Sequence, residues 1–427
     1  MSSLSEDEAS SPSDMLLCGL WFFGVGSGDS GDERYLPDDM VIEILTRLPP
    51  EELLFCRSVS KSWYSTISDA NFIAEYRRKN IGNDRVIVFT TPTPTPTPDE
   101  SSQFELKYSI FSDGNCPKKI SQSLRTDRIP FHMYVRWKLE GTCNGVFCYT
   151  GVLYSENIIY EYMTYLCDPS TKRASLMPDS TSPSYHEETT DPSTRFGIGF
   201  DSLENLYKIV KVKTFIYKDN RYGQAAVLSL KSMSWKDVEC PLYNMSLCDK
   251  SVFLHGSIHW ICSRDSTGDK CVISFDLCNE VFKQVQLPQC EYRKKFSIHV
   301  VGDSLCAMAF GNDDLICHVW MMKEFGVEES WMEQYKVVLP IGILRCVDVT
   351  VGGRILCVSD GYDLYEVKNG VLEKMKDKGS ETPKKKKEQE NFGKYILYDL
   401  QSQSYASLCW VDSDCVAFSI ESSVNFL

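Results

Sequence analysis

The stretch LPDDMVIEILTRLPPEELLFCRSVSKSWYSTISDANF, residues 36–72, decides how the chain begins to fold. Val41, Ile44, Leu45 and Leu48 fall at i, i+3, i+4 and i+7, the apolar stripe of a short helix that Asp38 and Asp39 open and Pro49-Pro50 stops. Glu51 and Glu52 suit the N-terminus of a second helix carrying Leu53, Leu54 and Cys56. A third puts Val59, Trp63 and Ile67 four apart, with Lys61 between them. Asp69 can cap a last helix holding Phe72 and Tyr76, whose Arg77, Arg78 and Lys79 favour a C-terminal end. Residues 36–80 therefore read as a small helical unit. Leu36, Pro37, Val41, Ile44, Leu45, Leu48, Leu53, Leu54, Val59 and Trp63 are ten sizeable apolar side chains within 28 residues, more than such a unit buries internally, which predicts a face left for a partner.

Outward from this unit the texture changes on both sides. Residues 1–35 are rich in Ser, Asp, Glu and Gly and are expected to be a disordered tail. Their apolar run, MLLCGLWFFGVG at 15–26, is shorter than the ~20 residues of a membrane span and follows Glu6, Asp7, Glu8 and Asp14 where a signal peptide wants positive charge. The expected location is the cytoplasm and/or nucleus. On the other side, TPTPTPTP at 91–98 lacks an N–H at alternate residues and is expected to be an extended loop within a linker, residues 81–103. From 104 to 427, runs of β-branched and aromatic residues alternate with turn signals, which predicts an all-β domain.

That domain repeats itself. Five segments share a strand end, a five-residue turn and an apolar or aromatic return: Asp168 to Ala174, Ser229 to Trp235, Asp276 to Phe282, Tyr365 to Val371 and Asp399 to Tyr405. With a looser copy at Trp320 returning at Trp331, the segments start 61, 47, 44, 45 and 34 residues apart. A period of ~40–50 residues, each a few strands long, predicts a β-propeller without fixing the number of blades.

The charge balance narrows the function. With 45 Lys+Arg against 59 Asp+Glu, the 427-residue chain carries −14, which disfavours nucleic-acid binding. A helix-turn-helix reading of residues 36–80 fails on its six basic and seven acidic residues. The 18 cysteines are dispersed, with no C-x-x-C pair, and read as reduced thiols packed as small hydrophobes. His255 and His259 stand four apart in VFLHGSIHW but no third ligand is spaced to join them, so a structural role is expected and no metal or cofactor is implied. P-loop, G-x-S-x-G and H-E-x-x-H motifs are absent, and Cys148 sits within a strand run; no intrinsic catalysis is expected. TPKKKKEQE at 382–390 reads either as a solvated inter-strand loop or as a nuclear import signal.

The opening Leu-Pro, acidic-apolar first helix, Leu-Pro break, Leu-Leu pair and VSKSW resemble an F-box. The pieces GTCNGVFCY (141–149), LCDPSTKRASLMP (166–178), FGIGFDSLENLYKIVKV (196–212), VFLHGSIHW (252–260), FDLCNEVFKQVQLP (275–288), VWMMKEFGVEESW (319–331) and YDLQSQSY (398–405) resemble the kelch-like, F-box-associated domain of a large plant F-box family that includes the S-locus F-box proteins. The resemblance implies a multidomain α+β chain, a helical F-box at 36–80 followed by a propeller-like β domain. It implies a non-catalytic substrate receptor of a Skp–cullin–F-box ubiquitin ligase. Leu36, Pro37, Val41, Ile44, Leu45, Leu48, Pro49, Leu53, Leu54, Val59, Lys61 and Trp63 then meet the Skp-type adaptor, which brings the cullin and RING subunits, and the β domain captures a protein target. Exposed aromatic and charged residues in three loops are candidates for that capture: Tyr185 and Arg195, Tyr217, Arg221 and Tyr222, and Tyr292 and Arg293. The rivals are a propeller that binds a glycan or another small ligand, lectin-like or metal-dependent, and an F-box scaffold that never joins a ligase.

Overall fold

The computed structural model describes residues 37–48, positions 53, 56, 60–67, 69, 72, 75, 76 and 79, and most strands and turns between 85 and 419. It divides into two compact units, one ending at Asn80 and the other beginning at Ile81. In the first, helices α1 (Asp38–Leu45) and α2 (Lys61–Ile67) form where the apolar spacing places them. Asp38 and Asp39 oppose the α1 dipole in its first turn. Ser60 Oγ accepts the Trp63 N–H (3.1 Å) at the start of α2, and Asp69 Oδ1 accepts that of Phe72 (3.3 Å), the cap its position predicts. Leu45, Leu48, Leu53, Cys56, Trp63, Ile67, Phe72 and Tyr76 close one buried cluster, pinned by the Tyr76 hydroxyl donating to the Leu48 carbonyl at 2.9 Å.

The second unit is a β-propeller of antiparallel sheets. The first sheet holds β1 (Arg85–Pro96), β2 (Ser101–Ser112) and β3 (Lys118–Pro130), the second β4 (Tyr134–Cys143), β5 (Val146–Ser155), β6 (Ile158–Asp168) and β7 (Arg173–Leu176). The third holds β8 (Thr190–Asp201), β9 (Leu206–Tyr217), β10 (Asn220–Ser229) and β11 (Ser234–Val238). The fourth holds β12 (Met245–Leu247), β13 (Val252–Leu254), β14 (Ser257–Arg264), β15 (Lys270–Asp276) and β16 (Val281–Gln286). The fifth holds β17 (Lys295–Val301), β18 (Ser304–Phe310), β19 (Ile316–Met322) and β20 (Trp331–Val338). In the last, β21 (Ile343–Val349) and β22 (Arg354–Ser359) are followed by an inserted hairpin, β23 (Tyr365–Lys368) and β24 (Val371–Lys374), before β25 (Lys394–Asp399) and β26 (Ser404–Trp410). Strand β27 (Val416–Ser419) then pairs with β1, so the end of the chain completes the first sheet.

From the second sheet to the last, apolar clusters fill the spaces between successive sheets, so the third, fourth and fifth are covered on both faces. Phe196, Ile198, Ile209 and Leu228 of the third sheet meet Cys148 and Leu166 of the second. Val210, Val212 and Val227, on the opposite face, meet Trp260, Ile273 and Phe275 of the fourth. Comparable clusters join the fourth sheet to the fifth and the fifth to the last. The described cysteines are free thiols, mostly inside these layers. Burial raises the pKa of Cys148, as expected for an inert thiol.

The repeats seen in the sequence are the turns before the outermost strands. In three of them the first residue accepts a nearby backbone N–H: Lys231 to Ser229 Oγ (3.4 Å), Cys278 to Asp276 Oδ1 (3.0 Å) and Ser402 to Asp399 Oδ1 (2.8 Å). The fifth turn residue has positive φ in each, at Met233, Glu280 and Gln403. An Asx- or Ser-type start and a left-handed finish reverse the chain in five residues. The copy at Tyr365 is different: it is the β23–β24 hairpin inserted between two strands of the last sheet, which accounts for the irregular spacings around it.

Two further expectations change. The Thr-Pro run is not linker: β1 extends to Pro96, and Thr93–Pro96 pair with Glu105–Ser102 of β2. Among the described strands β27 pairs only with Val86–Phe89, so the later half of β1 is an edge. Backbone N–H groups alternate sides along a strand, so prolines at every second residue all withhold theirs on one edge. The β domain therefore begins at β1, ahead of residue 104. His255 and His259 do not share a strand face either. His255 (φ 49) and Gly256 (φ 72) are the two-residue turn joining β13 to β14, a geometry with positive φ at both positions. The tail, residues 1–35, and the lysine run lie outside the described residues.

Candidate interaction surfaces

On the helical unit the predicted contact residues separate into two sets. Leu45, Leu48, Leu53 and Trp63 are buried in the unit's own cluster, which corrects their assignment to a partner face: their methyl groups and indole are already covered. Pro37 and Lys61 are exposed, and Val41 and Ile44 are half-buried against the cluster. Leu36, Pro49, Leu54 and Val59 lie outside the described residues. Sequence reasoning missed Met40 and Tyr64, large apolar side chains exposed on α1 and α2. Neither is on the periodic stripe, because that stripe marks the side facing inward. Glu43 is held below its usual carboxylate range by hydrogen bonds from Lys79 and Arg47, which ties α1 to the end of the unit.

On the propeller, Arg195 is not in a loop; it lies in β8, half-buried, with Nη1 donating to the Thr194 carbonyl at 3.0 Å. Tyr185, Tyr292 and Arg293 lie outside the described residues. The remaining three candidates do come together, where Lys218 (φ 47) and Asp219 (φ 65) turn β9 into β10. Tyr222 is 38% exposed, with its ring 6.3 Å from Phe215 and 5.5 Å, edge-on, from Tyr243. Tyr243 is 52% exposed and was not foreseen; its isolated bridge to Tyr222 could not be read from local periodicity. Lys218 places its ammonium 4.9 Å from the centre of the Tyr217 ring.

Polar bonds fix this aromatic platform. The Tyr243 hydroxyl donates to Asn220 Oδ1 (2.9 Å), as does Asn244 Nδ2 (3.2 Å), and Asn244 Oδ1 accepts the Arg221 N–H (2.8 Å). Arg221 is corrected from target contact to support: it is buried, and its Nε donates to Asp265 Oδ2 at 2.8 Å. The sequence offered no sign of that partner 44 residues away.

His259 is fully buried, with Nδ1 2.6 Å from Ser274 Oγ and Nε2 3.3 Å from the Leu254 carbonyl. Burial pushes its pKa down to about 4. Among the described residues no group of three His, Cys, Asp or Glu side chains is placed to hold a metal ion.

A small helical unit joined to a β-propeller with an exposed aromatic platform defines a two-part binding protein. A family model for the F-box associated beta propeller domain matches residues 130–359, and one for the F-box domain matches residues 35–74. The chain belongs to the F-box proteins with an F-box-associated β-propeller. It is similar to F-box protein At3g07870 of Arabidopsis thaliana, 26% identical over 385 residues that cover 82% of this chain and 86% of that protein. F-box protein CPR1 of the same plant is 26% identical, covering 71% and 73%. The F-box/kelch-repeat protein At3g23880, also of that plant, is 24% identical, covering 78% and 88%.

Proposed function

We propose that this protein is a substrate receptor of a Skp–cullin–F-box ubiquitin ligase. The observation that carries the reading is the fusion, in one chain, of an F-box match at 35–74 to a propeller match at 130–359. The F-box docks on the Skp-type adaptor, and through it on the cullin and RING subunits, while the propeller holds a target protein for ubiquitination and degradation. The chain contributes no bond-making group; it raises the local concentration of target lysines near the ubiquitin donor, to the millimolar range typical of tethered partners. It acts in the cytoplasm and/or nucleus. Docking uses Leu36, Pro37, Val41, Ile44 and Lys61, and Met40 and Tyr64, apolar side chains exposed on the same unit, join that set.

Affinity purification of the intact chain beside a Leu36→Ala/Pro37→Ala variant tests this. The intact chain is expected to recover adaptor and cullin, and the variant to lose both while keeping propeller-bound proteins. Equal recovery of adaptor and cullin by both would contradict the assigned face; adaptor without cullin would identify a scaffold outside any ligase.

A further inference from the structure

The Thr-Pro run serves neither unit's assigned role, and the fold gives it a defined place. Thr91, Thr93, Thr95 and Thr97 are each followed by proline. The first three lie in β1, whose later half pairs with β2 on one side and is an edge among the described strands. Thr93 and Thr95 stand opposite Glu105 and Gln103, and Pro94 and Pro96 opposite Phe104 and Ser102. Alternation along the strand puts these threonines on one sheet face and these prolines on the other. With the proline N–H groups missing from one edge, a further strand cannot complete an ordinary ladder there, which leaves the extended run to an enzyme cleft.

The third strand distinguishes the two threonines. Across β2, Gln103 pairs with Arg128 and Glu105 with Arg125, with a register shift between the two pairs that leaves Thr126 and Asp127 unpaired. Residues three apart in an unbroken strand face opposite ways; the extra residue in β3 returns both arginine positions to the threonine face. The row Thr95, Gln103, Arg128 therefore runs from the edge to β3 with a neutral residue between, whereas the row Thr93, Glu105, Arg125 has a carboxylate there. Neighbouring strands are about 4.8 Å apart, so two strands separate Thr95 from Arg128 by about 10 Å of backbone.

We propose that Thr95, and to a lesser extent Thr93, is a phosphorylation site for a proline-directed protein kinase, and that Arg128 receives the phosphate formed at Thr95. The γ-phosphoryl group of ATP passes to threonine Oγ: an O–P bond forms, the bond from Pγ to its bridging oxygen breaks, ADP leaves, and the hydroxyl proton goes to the kinase's own base. Proline suits the following position because its nitrogen needs no acceptor in the kinase cleft. Phosphate adds about −1.5 to −2 charge at neutral pH, and a guanidinium meets it with parallel hydrogen bonds, tying the edge across β2 to β3. At Thr93 the same charge stands directly opposite Glu105, which opposes it. The site is independent of adaptor docking.

The test incubates the purified full chain with ATP and a purified mitogen-activated protein kinase and maps phosphate by peptide mass spectrometry. Phosphate is expected within residues 91–96, with Thr95 occupied about threefold or more over Thr93. Thr95→Val keeps a β-branched strand residue and is expected to remove the major site. In urea the phosphorylated chain is expected to unfold at a higher midpoint than the unmodified one, a gain that vanishes in Arg128→Gln and persists in part in Arg128→Lys. Site mapping uses the native chain, so it stands even if an Arg128 variant fails to fold. Absence of phosphate from residues 91–96, or Thr93 as the major site, would overturn the proposal. A phosphorylated peptide of residues 88–100 beside an unmodified chain would overturn it by showing that the fold hides the run. An equal midpoint change in the native and Arg128→Gln chains would overturn the arginine contact.

Discussion

Single residues show how differently two neighbours of like kind are used. His255 faces solvent in a tight turn, its Nε2 3.1 Å from the Asp303 carbonyl, while His259 is enclosed four residues later. Because the folded state keeps His259 neutral, the unfolded chain takes up a proton below its ordinary pKa of 6.5 that the fold resists until about 4. Stability is therefore complete above about pH 6.5 and declines as pH falls toward 4, by a few kcal/mol at most. Urea titrations at pH 7 and pH 5 are expected to show this loss in the native protein and much less in His259→Gln. Gly197 is as constrained as His259: a Cβ there would lie 2.5 Å from Ile258 Cγ2 and 2.5 Å from Trp260 Cζ2. Gly197→Ala is expected to cost about 1–3 kcal/mol by overpacking, read as a lower urea midpoint at unchanged slope. Gly268 has nothing within 4 Å of its added Cβ, and its φ of 72° leaves only backbone strain, about 1 kcal/mol, for Gly268→Ala in the same assay.

At the scale of elements, α1 and α2 were legible because their apolar spacing, and the acidic first turn of α1, are local signals. The propeller turns were legible for the same reason: an acceptor at the first position and a reversal five residues on recur wherever an outermost strand begins. What stayed hidden depended on chain segments distant in sequence. The pairing of Thr93–Pro96 with β2 needs to know that one side of β1 is an edge, and Tyr243 joins Tyr222 only through a bridge 21 residues away. The periodic stripe of the helical unit also misled in one respect, since Leu45, Leu48, Leu53 and Trp63 are what holds the unit together. Leu45→Ala is expected to destabilise that unit by about 2–5 kcal/mol, enough to unfold so small a core. Limited proteolysis should then cut within residues 37–79 while the propeller stays intact. Cleavage spread evenly over both units would argue that they do not unfold separately.

At the scale of the whole molecule, there are two units with separate cores, and the proposed receptor function assigns ligase docking to one and target selection to the other. On the proposed reading, specificity lies in exposed side chains held by polar bonds beneath them, as Tyr243 is held by Asn220, whose neighbour Arg221 is itself fixed by Asp265. Docking of the helical unit underlies everything assigned to the propeller, and direct titration of the purified full chain with a purified Skp-type adaptor measures it. A one-to-one complex with a dissociation constant of about 1 μM or tighter, weakened at least tenfold by Leu36→Ala/Pro37→Ala, is the predicted result. No complex at about 100 μM adaptor, with both units folded, would contradict the account.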